Sequence, residues 1–177
     1  MTYHYQDLII LFNGCFLAQY NTRLAKGEDE PLYQPANELH PNHTIFFAHG
    51  FFRSALHECA HWFIAGEIRR KLLDFGYWYA PDGRTAAEQT LFQQVELKPQ
   101  ALEWILTKAT GHSFHVSIDN LTGDPTDAVA FEHAVLEQVQ RYCKEGLPTR
   151  AAHFREALCW FYDTPTPLLF TDFDKQT

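Results

Sequence analysis

The sequence predicts a mainly α protein of the α+β type, with a small sheet of short strands. Three observations predict it. Apolar residues recur at helical spacing through several long stretches, as at Leu56, Ala60, Ile64, Ile68 and Leu72. Strand character is confined to two short segments, 44–48 and 112–118. The 9 glycines and 9 prolines include several that mark the ends of these stretches. The chain has 177 residues, 46% hydrophobic and 20% charged, a globular composition that excludes a disordered or low-complexity chain. No repeat or linker divides it, so one domain spanning 1–177 is expected.

Residues 5–25 read as a first helix, apolar at Leu8, Ile9, Leu11, Phe12, Phe16 and Leu24, with Gly27 beyond its end. The stretch 28–42 reads as loop, with Pro31, Pro35 and Pro41. Residues 44–48, TIFFA, are β-branched and aromatic and read as a strand; Gly50 lets the chain turn after it. Ser54 is a reasonable cap for a helix running to about Asp74. A loop with Gly76, Pro81 and Gly83 follows. The next helix spans 85–98 and stops before Pro99, and another spans 99–110 with Gly111 at its end. From His112 to Ile118 apolar and polar residues alternate, the period of a half-buried strand. A turn at 120–124 leads to a helix from Pro125 to about Glu145, and a last helix covers 149–162. Pro165 and Pro167 begin an extended tail.

The 14 basic and 22 acidic residues give a net charge of −8 with no basic run, a poor basis for binding nucleic acid. Cys15, Cys59, Cys143 and Cys159 form no CxxC pair and no disulfide framework. The start of the chain lacks the basic region of a signal peptide, and the apolar run 8–12 is too short to span a membrane. A cytoplasmic protein with no membrane partner is expected.

The stretch His57-Glu58-Cys59-Ala60-His61 is H-E-x-x-H. On a helix, residues i and i+4 share a face one turn apart, so both imidazoles can reach one metal ion. Glu58, about 100° further round, is placed to meet a metal-bound water rather than the metal. A third protein ligand is needed. Glu88, 27 residues after His61, shares a helix face with Leu91 and Val95 and is the favoured ligand. Thr85-x-x-Glu88 also reads as a capping box, which would turn Glu88 back onto the helix start. Glu96, near the end of that helix, is the reserve candidate. His112 and His115 read as strand-end or surface residues, His40 and His43 as loop residues, and His49 as a supporting neighbour of the site. Arg53, Arg69 and Arg70 read as solvated, and Cys59 as a small apolar residue.

HECAHWFIAGE followed by AAEQTLF resembles the H-E-x-x-H…E layout of zincin-type metallopeptidases. A closer resemblance covers essentially the whole chain. HTIFFAHGFFRSALHECAHWFIAGEIRRKLLDFGYWYAPDGRTAAEQTLFQQVE and GHSFHVSIDNLTGD resemble the bacterial elongation factor P hydroxylase family. The resemblance implies hydroxylation of the lysine of elongation factor P after β-lysine has been attached to it. It also implies a zincin-like helical domain reused for oxygen chemistry, with O2 as co-substrate. The electron donor is not implied, and no 2-oxoglutarate site is evident.

Two histidines and a carboxylate suit Fe(II) in an oxygenase and Zn in a peptidase equally. Affinity order lets purified protein carry Zn, Ni or Co even where Fe(II) is the working ion. Three readings therefore stand: an iron-dependent protein hydroxylase, a zinc hydrolase with Glu58 as general base, and a binding module with structural zinc. The last suits the sequence least, because structural zinc usually takes four protein ligands, often Cys. A substrate bearing two amino groups would be drawn to carboxylates such as Asp82, Asp119, Asp124 and Glu132. Tyr77, Trp78 and Tyr79 are candidates to line the entrance.

Overall fold

The computed structural model describes residues 2–76, 85–117 and 125–173. Its first helix, α1 (Tyr5–Tyr20), ends earlier than its apolar pattern predicts. Asn21 adopts the left-handed conformation at φ 49°, which a short polar side chain tolerates and which stops a helix. The next residues form a strand, β1 (Thr22–Lys26), rather than more helix. Leu24 is buried in that strand, and its N–H is accepted by Asn13 Oδ1 of α1 at 2.8 Å.

A second strand, β2 (Leu32–Gln34), lies within the stretch read as loop. Pro31 and Pro35 flank it, which suits a short strand at a sheet edge. The expected strand is β3 (His43–Phe47), one residue earlier at each end than predicted, so His43 begins the strand instead of ending the loop. It is central: β1 pairs with it in parallel and β2 antiparallel, giving the order β1-β3-β2. Leu24, Tyr33, Ile45 and Phe47 are buried on this small sheet.

The chain turns through His49 and Gly50, both at positive φ, into α2 (Phe52–Ile64). Ser54 does not cap this helix. Its Oγ accepts the Ala48 N–H at 3.1 Å and so ties the helix back to the end of β3. The helix stops well short of Asp74. Ile68 is 79% exposed and Leu72 47%, so the four-residue apolar repeat continues past the point where it has anything to cover. Gly66 disfavours helix there, and a 3-10 turn at Arg69–Lys71 is followed by a tight turn at Leu73–Gly76. Arg69, read as solvated, donates to the Phe75 carbonyl at 3.0 Å and links the two turns. The second turn is held against β2: Asp74 Oδ1 accepts the Tyr33 N–H at 2.7 Å, and Phe75 stacks on the Tyr33 ring at 4.2 Å. Asp74 and Phe75 take positive φ to make these contacts.

Pro99 does not divide the next helix. One helix, α3 (Ala86–Thr110), runs through it to Gly111, where φ is 76°. Proline removes one backbone donor in mid-helix, and the neighbours packed around α3 sustain the helix across that gap. Residues 112–117, read as a strand, pair with no strand among the described residues. They keep the predicted alternation, with Phe114 buried and Ser113, His115 and Ser117 exposed. The Gln100 side chain stands in for a strand partner. Its Oε1 accepts the Ser117 N–H at 3.0 Å, and its Nε2 donates to the Ser117 carbonyl at 2.7 Å. The last two helices, α4 (Pro125–Glu145) and α5 (Thr149–Tyr162), agree with expectation, and a 3-10 turn at Phe170–Asp172 follows.

The protein is thus mainly α with one small three-stranded sheet. The larger core joins α1, the sheet, α2, α5 and, through Leu102, Leu106 and Ala109, the second half of α3, with Phe12, Phe16, Trp62, Phe63 and Phe154 in ring contact. A second core joins α3 and α4 around Trp104, which stacks on Phe114. α3 contributes to both cores and lies beside α2, and polar residues of their facing sides meet there.

Candidate metal centre

The histidines of the H-E-x-x-H motif share the face of α2 that meets α3, as the four-residue spacing requires. His61 Nε2 and His57 Nε2 stand 3.0 Å apart. The carboxylate that joins them is Glu96: its Oε2 lies 3.2 Å from His57 Nε2 and its Oε1 3.2 Å from His61 Nε2. Among the described residues these three form a group whose ligand atoms all lie within 4.8 Å of one another.

Glu88 is not brought to the histidines, which corrects the expectation for the third partner. It is exposed and closes the capping box: Thr85 N–H and Thr85 Oγ both donate to Glu88 Oε2 at 2.8 Å. The face shared by Glu88, Leu91 and Val95 points outward at its start, where Leu91 is 62% exposed. The buried face of α3 runs instead through Gln89, Phe92, Glu96, Gln100 and Glu103.

Glu103 belongs to no motif, yet it completes the support of the site. It lies two turns after Glu96 on the same face. Its Oε2 meets His57 Nδ1 at 2.9 Å, and its Oε1 accepts from Arg53 at 3.1 Å. The same Arg53 nitrogen donates to the His115 carbonyl at 2.5 Å, and its guanidinium lies over the Phe114 ring at 5.2 Å. Arg53 is therefore part of the support of His57, not a solvated residue. The sequence signal for Glu103 is the polar spacing Glu96, Gln100, Glu103, which dividing the helix at Pro99 hides.

The electrostatics follow from burial. Burial opposes charge on His57, but the Glu96 and Glu103 carboxylates reverse this and hold the imidazole well above its ordinary value. Burial likewise opposes charge on Glu96, and the two imidazoles overcome it, leaving this carboxyl well below the ordinary range. Glu58 stays outside the cluster. Burial pushes its carboxyl up, while His61 and His57 act on it in the opposite sense. Burial also raises the Cys59 thiol well above its ordinary value, in keeping with a small apolar residue.

The donor set fits a divalent ion. Ligand atoms each about 2.1 Å from a shared ion stand roughly 3.0–3.4 Å apart, and the two imidazole nitrogens, 3.0 Å from each other, each have one oxygen of the Glu96 carboxylate within that range at 3.2 Å. Glu96 Oε1 is buried and, although close to His61 Nε2, is not in hydrogen-bond geometry, which suits an oxygen aimed at a metal. A proton on His57 Nδ1, facing Glu103, leaves Nε2 with its lone pair toward the cluster.

The remaining histidines serve elsewhere. His49, expected beside the site, lies 3.7 Å from Asp29. His112 packs against Tyr3 and Phe52, and His115 is exposed. Glu132 is exposed on α4. Tyr77, Trp78, Tyr79, Asp82, Asp119 and Asp124 lie outside the described residues. No helix among the described residues is long and apolar enough to cross a membrane.

Known proteins match this chain along nearly its whole length. The family described as elongation factor P hydroxylase matches residues 11–173. The chain is also 53% identical over 174 residues to the elongation factor P lysine hydroxylase of Haemophilus influenzae, a match covering 98% of each.

Proposed function

Because the chain belongs to the elongation factor P hydroxylase family, we propose that it is a metal-dependent hydroxylase of the β-lysylated lysine of elongation factor P. The observation that carries the metal part of this reading is the meeting of His57, His61 and Glu96 between α2 and α3. These residues would hold the ion, with Fe(II) as the working metal, since two imidazoles and one carboxylate leave positions open. Bound there, the iron would supply the activation of O2 that the protein's own side chains lack. One oxygen atom goes to the substrate and the other leaves as water, so the reaction takes two electrons and two protons from an external donor. A substrate that works in translation supports a cytoplasmic location.

The chain's own residues prepare the site. Glu103 accepts the His57 Nδ1 proton and sets the tautomer. Arg53 holds Glu103 and is itself held by the His115 carbonyl and Phe114. Glu58 places a carboxyl beside the imidazoles, where it can hold or pass a proton without being a ligand. The same donor set would serve a zinc hydrolase, but Zn²⁺ has no redox chemistry. The test is reconstitution of metal-stripped protein with Fe(II) or Zn under anaerobic conditions. Reductant, O2 and β-lysylated elongation factor P are then added. The substrate should gain the mass of one oxygen atom with Fe(II) and none with Zn. Equal hydroxylation with Zn, or peptide cleavage in its place, overturns this reading.

A further inference from the structure

A cavity of about 190 Å³ lies beside the C-terminal half of α2, apart from the candidate metal centre. Its lining brings together Arg70, Lys71 and Arg150 in a chain whose net charge is −8. Among the described residues that line it, the one carboxylate, Glu67, is strongly exposed and lies 3.4 Å from Lys71. Arg150 is half-buried and makes no ion pair with a described residue. Its guanidinium is instead held against aromatic rings, 4.2 Å from the Trp62 ring and 5.4 Å from that of Tyr20. Arg70, read from sequence as solvated, gives one donor to the Ala65 carbonyl. Its remaining N–H groups have no acceptor among the described residues.

Two neutral groups of the wall, Trp62 and His43, also present N–H donors. The Trp62 indole N–H is buried and out of hydrogen-bond geometry, though near enough to the Tyr33 hydroxyl to act on it. His43 Nδ1 accepts the Ala36 N–H at 3.0 Å, so its other ring nitrogen can only donate. The hydroxyls of Tyr33 and Thr22 give their protons to the Arg70 and Tyr20 carbonyls, so their oxygens remain as acceptors only, and the attraction for an anion rests on the cations and these two N–H groups. Burial, and then the charge of Arg70, oppose the charge on Arg150, while Tyr20 and Tyr33 act in the opposite sense, so the wall holds two cations close enough to repel each other. Partly buried charge of one sign calls for a counter-charge.

We propose that this cavity is an oxyanion site, in which Arg70, Lys71 and Arg150 receive a phosphate or carboxylate group of a small polyanion. The volume sets the size of that ligand. It is below the roughly 300–1,000 Å³ of drug-sized sites, too small for a nucleotide and ample for a phosphate group or a short dicarboxylate. The site does not depend on the reading given for the metal centre.

The test is calorimetric titration of the full, metal-loaded chain in low-salt buffer, with inorganic phosphate in one arm and succinate in the other. Saturable binding in the phosphate arm assigns a phosphate ligand, and in the succinate arm a carboxylate one. Arg70→Gln and Arg150→Gln should each raise the Kd about tenfold or more, as loss of a charged hydrogen bond does. Lys71→Gln, at the exposed rim, should raise it by a smaller factor and leaves the core intact, so it serves if an arginine variant fails to fold. No saturable binding of either anion below about 10 mM overturns the proposal. So does binding that all folded variants leave unchanged.

Discussion

Glu96 and Glu103 stand two turns apart on one face of α3, and both reach the same imidazole. Glu96 Oε2 lies 3.2 Å from His57 Nε2, and Glu103 Oε2 lies 2.9 Å from His57 Nδ1. His57 is thereby held from both ring nitrogens, one facing the cluster and the other its support.

The first prediction separates Glu96 from Glu88. Glu96→Ala should sharply reduce bound metal, measured by elemental analysis of purified protein. Glu88→Ala should keep its metal and lose the capping box, about 1 kcal/mol of stability in urea unfolding. Loss of metal from the Glu88 variant with retention in the Glu96 variant would reverse the assignment.

Glu103→Gln keeps the shape of the side chain and removes its charge. It should weaken metal binding about 10–100-fold in a chelator competition, as loss of such support commonly does. An affinity equal to that of the parent protein would show that His57 is oriented by packing alone.

Glu58→Gln should retain metal, because the Glu58 carboxylate is not part of the His57, His61 and Glu96 cluster. Hydroxylation should slow rather than vanish if the residue only passes protons. Elemental analysis and a single-turnover assay read the two effects separately, and metal loss would make Glu58 a ligand or an essential structural group.

Asp74 allows a prediction about pH. Burial raises its carboxyl above the ordinary value of 3.8, while the Tyr33 N–H lowers it. A folded value above the unfolded one means the folded state favours the protonated form. Ionised Asp74 therefore subtracts from stability, and this cost grows as pH rises from the unfolded value through the folded one. Asp74→Asn keeps an acceptor for Tyr33, has no charge and tolerates the positive φ of this position. It should gain about 0.5 kcal/mol at neutral pH, a small figure because water still screens the half-buried carboxylate. The gain should fade in acid, as followed by urea midpoints at several pH values. A gain that is constant with pH would assign the effect to backbone conformation instead.

What the sequence determined by itself is what rests on local periodicity. The four-residue spacing of His57 and His61 puts both imidazoles on one face of any helix that contains them. The strand read at 44–48 and found at 43–47, and the helices at 125–145 and 149–162, are legible because β-branched and aromatic composition and Pro and Gly at the ends are local signals too. The tertiary structure decided which face of α3 turns inward. Leu91 and Val95 make the Glu88 face look apolar, but packing against α2 buries the face one residue round, with Phe92, Glu96 and Glu103. Pro99 reads as a break because it lacks one donor. The helix continues because its contacts with α2, α4 and α5 outweigh one lost hydrogen bond, and that continuity brings Glu103 to His57. β1 and β2 are likewise settled by pairing with β3, a partner that neither segment's own residues specify.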